Sequence, residues 1–229
     1  MKDVTPRHIG FIVDGNRRWA KKHGIPTYEG HLAGYNTLHD VVKETFDQGV
    51  EYVSAYIFST ENWKRSQDEV GKLMSLVLKL LTTDVKILHD NNIRLLVVGS
   101  PQNVSDKILT AINDAEAKTA NNTGGTLALC FNYGGQMEIA DAVKEIMNSG
   151  IPARDVTPDV VAQHLYYPEI PPLDLLVRTS GEQRTSNFML WRAAYAEMLF
   201  LDKLWPEMTK EDVSAILKTY AERDRRIGG

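Results

Sequence analysis

The chain is 229 residues long, 43% hydrophobic and 24% charged, with a formal net charge of −4. That length and apolar content suffice for one sizeable core, and the acidic balance excludes a general nucleic-acid binder, so any cationic patch is local. Cys130, the one cysteine, lies in an apolar run; it cannot form an intrachain disulfide and reads as a small buried side chain in a reducing compartment.

In chain order, MKDVTPRH lacks the apolar stretch of a signal peptide. No later run approaches the ~18–20 apolar residues that a spanning helix needs. The expectation is a cytoplasmic chain folded as a single domain over 1–229. Runs of β-branched and aromatic residues predict strands at 8–13, 51–58, 93–98, 126–131 and 173–177, with a weaker one at 198–201. Helical periodicity fills the gaps at 29–48, 67–90, 104–121, 135–148, 158–165 and 210–224. Ser66 and Glu69 form a capping-box pattern at the head of the 67–90 helix. This alternation predicts an α/β fold with a mostly parallel six-stranded sheet and helices on both faces. Ligands of such folds bind beyond the carboxyl ends of the strands.

Polar clusters follow three of those strands, and NYGG at 132–135 follows a fourth. The first is Asp14, Gly15, Asn16, Arg17 and Arg18, with Trp19, Lys21 and Lys22 behind it. Asp-Gly is a turn signal and the cations could be a solvated helix face. The same residues also suit an anion site, because a loop opening a helix points free N–H groups outward. An aspartate beside phosphate-binding arginines then makes sense if a divalent metal lies between, since Mg²⁺ takes one or two carboxylates plus substrate phosphates. The second cluster is Ser59, Thr60, Glu61, Asn62, Trp63, Lys64 and Arg65: a helix-approach loop, or a reaction centre where an amide or hydroxyl handles a proton beside an apolar wall. The third, Arg178 to Ser186, suits a second phosphate pocket or a polar loop with a Glu182–Arg184 ion pair. Glu197, in AAYAEMLFL, needs either an arginine or a metal. The 67–90 helix is apolar over more than one stripe: it is deeply buried, or one side lines a cavity for a hydrocarbon tail. The six histidines show no metal-ligand spacing; His31, close to the first cluster, is the one of interest. No Walker motif and no Asp-Asp-x-x-Asp is present.

Taken in series, HIGFIVDGNRRWAKKHG, EGHLAG, FSTENWKR, FNYGG, RTSGEQRTSNFMLWRAAYAE and RDRRIGG resemble the cis-prenyltransferase family over nearly the whole chain. The resemblance implies an apolar tunnel between sheet and helices. It also implies condensation of an allylic diphosphate, such as farnesyl diphosphate, with successive isopentenyl diphosphates. The product would be a medium-chain polyprenyl diphosphate of the undecaprenyl type, the lipid carrier of cell-wall synthesis. Asp14 would bind Mg²⁺ and serve loss of the allylic diphosphate, which Gly15, Asn16, Arg17 and Arg18 cradle, with Trp19 and His31 nearby. Arg178, Arg184, Thr185 and Ser186 would hold isopentenyl diphosphate, with Glu197 helping bind the metal. Asn62 would assist proton removal, surrounded by Ser59, Thr60, Glu61, Trp63 and Arg65. The terminal Arg226-Ile227-Gly228 would reach a partner's site, implying a homodimer, and the lipid product implies peripheral membrane contact. Against the family pattern stand Thr27 for an arginine, Gln183 for a histidine in some members, and Ile57 for an alanine. Ile57 in the tunnel would shorten the product, which keeps open a shorter or irregular chain made on the same fold. Retention of Asp14 and Asn62 argues against a non-catalytic accessory subunit.

Overall fold

The computed structural model describes residues 5–223. Among these, six strands form one sheet in the order β3-β4-β2-β1-β5-β6, every neighbouring pair parallel. They are β1 (His8–Ile12), β2 (Tyr52–Ser59), β3 (Arg94–Val98), β4 (Thr126–Tyr133), β5 (Leu175–Arg178) and β6 (Glu197–Phe200). The helices are α1 (Asn16–Lys22), α2 (Thr27–Asp47), α3 (Gln67–Lys79), α4 (Val85–Asp90), α5 (Asp106–Thr119), α6 (Gly135–Asn148), α7 (Pro158–Gln163) and α8 (Lys210–Ala221). The chain builds outward from β1 to β2, β4 and β3 on one side, then crosses to β5 and β6 on the other. The switch in strand order therefore falls at β1, and a crevice opens beyond its carboxyl end.

Alternation along the strands feeds two cores. Ile9 and Phe11 of β1 and Leu127, Leu129 and Phe131 of β4 join one, which includes Leu38, Val41 and Val42 of α2. Ile12, Ala128 and Cys130 point into the other, closed by Phe188, Met189 and Ala193. Cys130 is fully buried and free, as the sequence implies. Helix starts follow local chemistry: Ser66 accepts the Glu69 N–H at 3.3 Å, and Thr157 caps α7 with Pro158 at its first position.

Two predicted elements differ. A separate short helix, α1, is carved from the first cluster. The single 67–90 helix is interrupted by a π-turn at Leu80–Asp84. There the Asp84 side chain turns inward to Tyr35, His39 and Lys79, the Lys79 Nζ standing 2.8 Å away. Satisfying that nearly buried carboxylate is the physical reason for the extra residue in the turn. No helix among the described residues is long and apolar enough to cross a membrane.

Candidate functional site

The site begins where β1 stops. Asp14 is anchored by its backbone: its N–H donates to Thr179 Oγ1 at 3.1 Å, and its carbonyl accepts from Thr179 Oγ1 at 2.6 Å and from the Trp205 N–H at 3.0 Å. Gly15 follows with φ 114°, a left-handed turn that sends the chain straight into α1. Arg178 ends β5, in register with Ile12, and so stands beside Asp14. It is 4% exposed and donates from Nη2 to Asp14 Oδ2 at 2.9 Å and from Nη1 to Ser186 Oγ at 2.7 Å. Arg18 reaches the same carboxylate at 3.3 Å, with Glu182 at 3.4 Å and the Ser180 carbonyl at 2.8 Å. Partial burial pushes the Asp14 carboxyl up, but Arg178 and Arg18 outweigh it and hold it below the usual carboxylate range.

The second cluster forms a 3₁₀ turn at Thr60–Lys64. The Asn62 side-chain oxygen accepts from the Ser59 N–H at 3.1 Å, so the amide is held facing the turn. Trp63 packs edge-on against Phe58, ring centroids 5.0 Å apart, and donates to Asn132 Oδ1 at 2.7 Å. Glu69 does not complete the reciprocal half of a capping box. Its carboxylate turns instead to His31 at 3.1 Å, Arg65 at 3.1 Å and Arg17 at 3.9 Å. Burial lowers the His31 pKa more than Glu69 raises it, which leaves the ring neutral.

These residues surround one cavity of about 1220 Å³ that runs from the rim down between sheet and helices. At its mouth lie Asp14, Gly15, Asn16, Arg17, Arg18, Lys21, His31, Ser59, Glu61, Asn62, Arg65, Arg178 and Ser186. Deeper, Leu38, Leu73, Leu76, Val77 and Leu80 make an apolar wall, with Tyr35 and Trp205. The helix thus packs one side on the core and lines a hollow with another. Ile57 also lines it: the β2–β4 register slips at this residue, so Tyr56, Ile57 and Phe58 all reach the cavity. Two buried polar atoms here have no partner, Asn16 Oδ1 and Arg178 Nε; both residues line the cavity.

Several expected residues stand elsewhere. Glu197 opens β6, in register with Leu175 at the amino end of β5, and its carboxylate pairs with Arg223 at 2.7 Å. It lies at the end of the sheet opposite Asp14, and of the two partners the sequence offers this carboxylate, an arginine or a metal, the one beside it here is an arginine. Trp19, Thr60, Trp63, Arg184 and Thr185 do not line the cavity. Trp19 lies against His23, ring centroids 4.3 Å apart and tilted by 36°, and Arg184 pairs with Glu182. Arg226-Ile227-Gly228 lie outside the described residues. Three residues had no site role assigned from sequence: Lys21 at the mouth, Glu69 as the acceptor of three cationic or titratable groups, and Asn187, which lines the cavity beside Ser186. Their signal was faint, since each is an ordinary polar residue on a helix or loop.

The Prenyltransf family model, whose description names undecaprenyl diphosphate synthase, matches residues 12–228. A trans,polycis-polyprenyl diphosphate synthase of Thermobifida fusca, described as (2Z,6E)-farnesyl diphosphate specific, is 43% identical over 100% of this chain and 82% of its own. An isoprenyl transferase of Thermotoga maritima is 41% identical over 98% of this chain and 97% of its own. Among solved structures, lavandulyl diphosphate synthase from Lavandula x intermedia, in complex with dimethylallyl diphosphate, superimposes with a TM-score of 0.94 at 31% identity, covering both chains completely.

Proposed function

The chain belongs to the undecaprenyl diphosphate synthase family of cis-prenyltransferases, and from that premise we propose that it elongates farnesyl diphosphate with successive isopentenyl diphosphates to a medium-chain polyprenyl diphosphate. The observation that carries the reading is the cavity itself: guanidiniums and a carboxylate at the mouth, an unbroken apolar wall below. A substrate with an anionic head and a growing hydrocarbon tail fits both ends.

The allylic diphosphate lies over Gly15–Arg18 with neutral His31 beside it, and Arg178 and Ser186 take the isopentenyl diphosphate. Arg178 and Ser186 both line the cavity and are joined at 2.7 Å, which supports an anion there. Arg17 and Lys21 line the mouth close to Thr27 and supply positive charge where the family's arginine is missing. Breaking the allylic C–O bond moves charge onto the leaving diphosphate, and fixed cations that need no reorganisation lower that barrier. The isopentenyl double bond then attacks the allylic carbon, and the released diphosphate takes up the proton that leaves the new chain as the cis double bond forms. Asn62 is an amide and no base; held by Ser59, it orients the reacting head.

Asp14 fits a magnesium ion. It is a single ionised carboxylate facing a phosphate pocket, and no cluster of three His, Cys, Asp or Glu residues occurs among the described residues. That donor set suits an ion that shares itself with phosphates rather than a closed protein cage. When bound, Mg²⁺ supplies neutralisation of the leaving diphosphate. The homodimer belongs to the same proposal; β6 is an edge strand, and Tyr195 beside it is 81% exposed.

A shorter or irregular product is the second reading, favoured by Ile57 in the tunnel and by the overlay on lavandulyl diphosphate synthase. One incubation with farnesyl diphosphate, isopentenyl diphosphate and Mg²⁺, followed by product sizing, separates the two. A ladder ending in a long polyprenyl chain supports the first, a single short addition the second, and no product overturns elongation from farnesyl diphosphate.

A further inference from the structure

We propose that Asn187 is a positioning residue that locks the Glu61–Asn62 turn to the Arg178–Ser186 pocket and so fixes the isopentenyl head group against the allylic carbon. The inference rests on the reading of the site given above. Ser186 and Asn187 are consecutive left-handed residues, φ 48° and 66°, and the reversal they make turns their side chains to different partners. Ser186 accepts from Arg178 at 2.7 Å. Asn187 Nδ2 donates to Glu61 Oε1 at 3.1 Å, its Oδ1 accepts from the Gln136 N–H at 2.8 Å, and its carbonyl accepts from the Gly135 N–H at 2.7 Å. One residue thus ties three rim segments together.

This geometry accounts for NYGG, a motif the proposed chemistry leaves unused. A Cβ on Gly134 would stand 2.8 Å from Asn187 Nδ2 and 2.9 Å from Thr60 Oγ1, and one on Gly135 would stand 3.1 Å from the Asn187 carbonyl. Gly134 clears the seat that the Asn187 side chain occupies, while at Gly135 a Cβ would meet Leu190 first, at 2.8 Å. Glycine would be the easier residue for the left-handed turn at 187; asparagine there is explained by its side chain, which makes a charge-assisted bond to Glu61. Glu61 adjoins Asn62 within one short turn, so a shift of the carboxylate moves the amide with it.

The test is steady-state kinetics with farnesyl diphosphate, isopentenyl diphosphate and Mg²⁺ on wild type, Asn187→Ala, Asn187→Gly, Glu61→Ala and the Asn187→Ala/Glu61→Ala double variant, with Tm measured for each. Losing a hydrogen bond to a charged group predicts that Asn187→Ala and Asn187→Gly each lower kcat/KM for isopentenyl diphosphate about tenfold or more. The KM for farnesyl diphosphate stays within about twofold, and the double variant is no worse than the worse single one, the signature of one shared interaction. Wild-type behaviour in Asn187→Gly overturns the inference, because the turn alone then suffices. So do additive losses in the double variant, or parallel changes in both KM values with a lowered Tm. A wild-type enzyme that makes no product overturns the proposed function and this inference with it; wild-type turnover with an unaffected Asn187→Ala overturns this inference alone.

Discussion

Asp14 is the residue on which the electrostatics of the mouth turn. Its carboxylate is shared by a buried guanidinium, Arg178, and a half-exposed one, Arg18. Replacing it with alanine removes a charge stabiliser and leaves Arg178 buried without its counter-ion, so activity and stability fall together. Asp14→Asn keeps an acceptor for Arg178 and separates the two effects. Both variants are expected to lose at least about 10²–10³-fold in kcat, with Asp14→Asn nearer wild type in Tm; near-normal Mg²⁺-dependent turnover in Asp14→Asn would remove Asp14 from the chemistry. Ile57 acts by volume instead. It occupies the register slip of β2 and faces the tunnel, so Ile57→Ala deepens the apolar end without touching the head-group pocket. The expected outcome is a product at least one isoprene unit longer at similar kcat, read by chain-length analysis of radiolabelled product. An unchanged length means Ile57 does not limit the chain.

At the scale of elements, the allylic pocket depends on how closely α1 lies on α2. Gly30 and Gly34 stand one helical turn apart on α2, and a Cβ on either would come within 3.0 Å of Asn16. At Gly30 the obstacle is the Asn16 backbone carbonyl; at Gly34 it is the Asn16 side chain. Gly30→Ala must therefore push α1 away, whereas Gly34→Ala can be met by swinging one short side chain aside. Gly30→Ala is expected to raise the KM for the allylic diphosphate about tenfold or more and to lower stability by about 1–3 kcal/mol, with Gly34→Ala clearly milder; equal effects in kinetics and thermal melts would contradict this packing. These elements also show what was legible in advance. Strands announced themselves because β-branched runs bury both faces of a parallel sheet, and three charged clusters came together because parallel strands share one rim. The π-turn was not legible: Leu80 to Asp84 continue a helical pattern, and the interruption follows from Tyr35 and His39, residues of another helix. The partner of Glu197 was illegible for a related reason. A carboxylate in an apolar run signals a partner, but the choice of Arg223 over a metal is made by the start of β6 and the end of α8 meeting in space. Glu69 was read through its local capping pattern, and its long-range neighbours, Arg17 and His31, come from α1 and α2.

Across the whole molecule, buried histidines tie stability to pH. His8 is fully buried on β1; it bonds the Pro171 carbonyl through Nδ1 at 2.8 Å and Ser54 Oγ through Nε2 at 2.8 Å, which fixes a neutral ring joining β1, β2 and the approach to β5. Burial drives its pKa from 6.5 down to about 4, against a smaller opposing pull from the Pro171 carbonyl. His31 and His39 are lowered too, burial again being the main cause. The unfolded chain binds these protons near pH 6.5 and folded His8 only near 4, so between those values the unfolded state holds more protons. Stability is therefore fully present above about pH 6.5 and declines as the pH falls toward 4, by about 3 kcal/mol from His8 alone. The carboxylates held low by their partners, Asp14 among them, add losses of the same sign only further down, below their ordinary range. Denaturant midpoints at half-unit steps from pH 7 to 4.5 should fall in wild type. His8→Gln, which keeps polar atoms but cannot titrate, should start less stable at pH 7 and show a shallower slope. A flat wild-type profile over that window, or an undiminished slope in His8→Gln, would show that His8 is not held neutral by the fold.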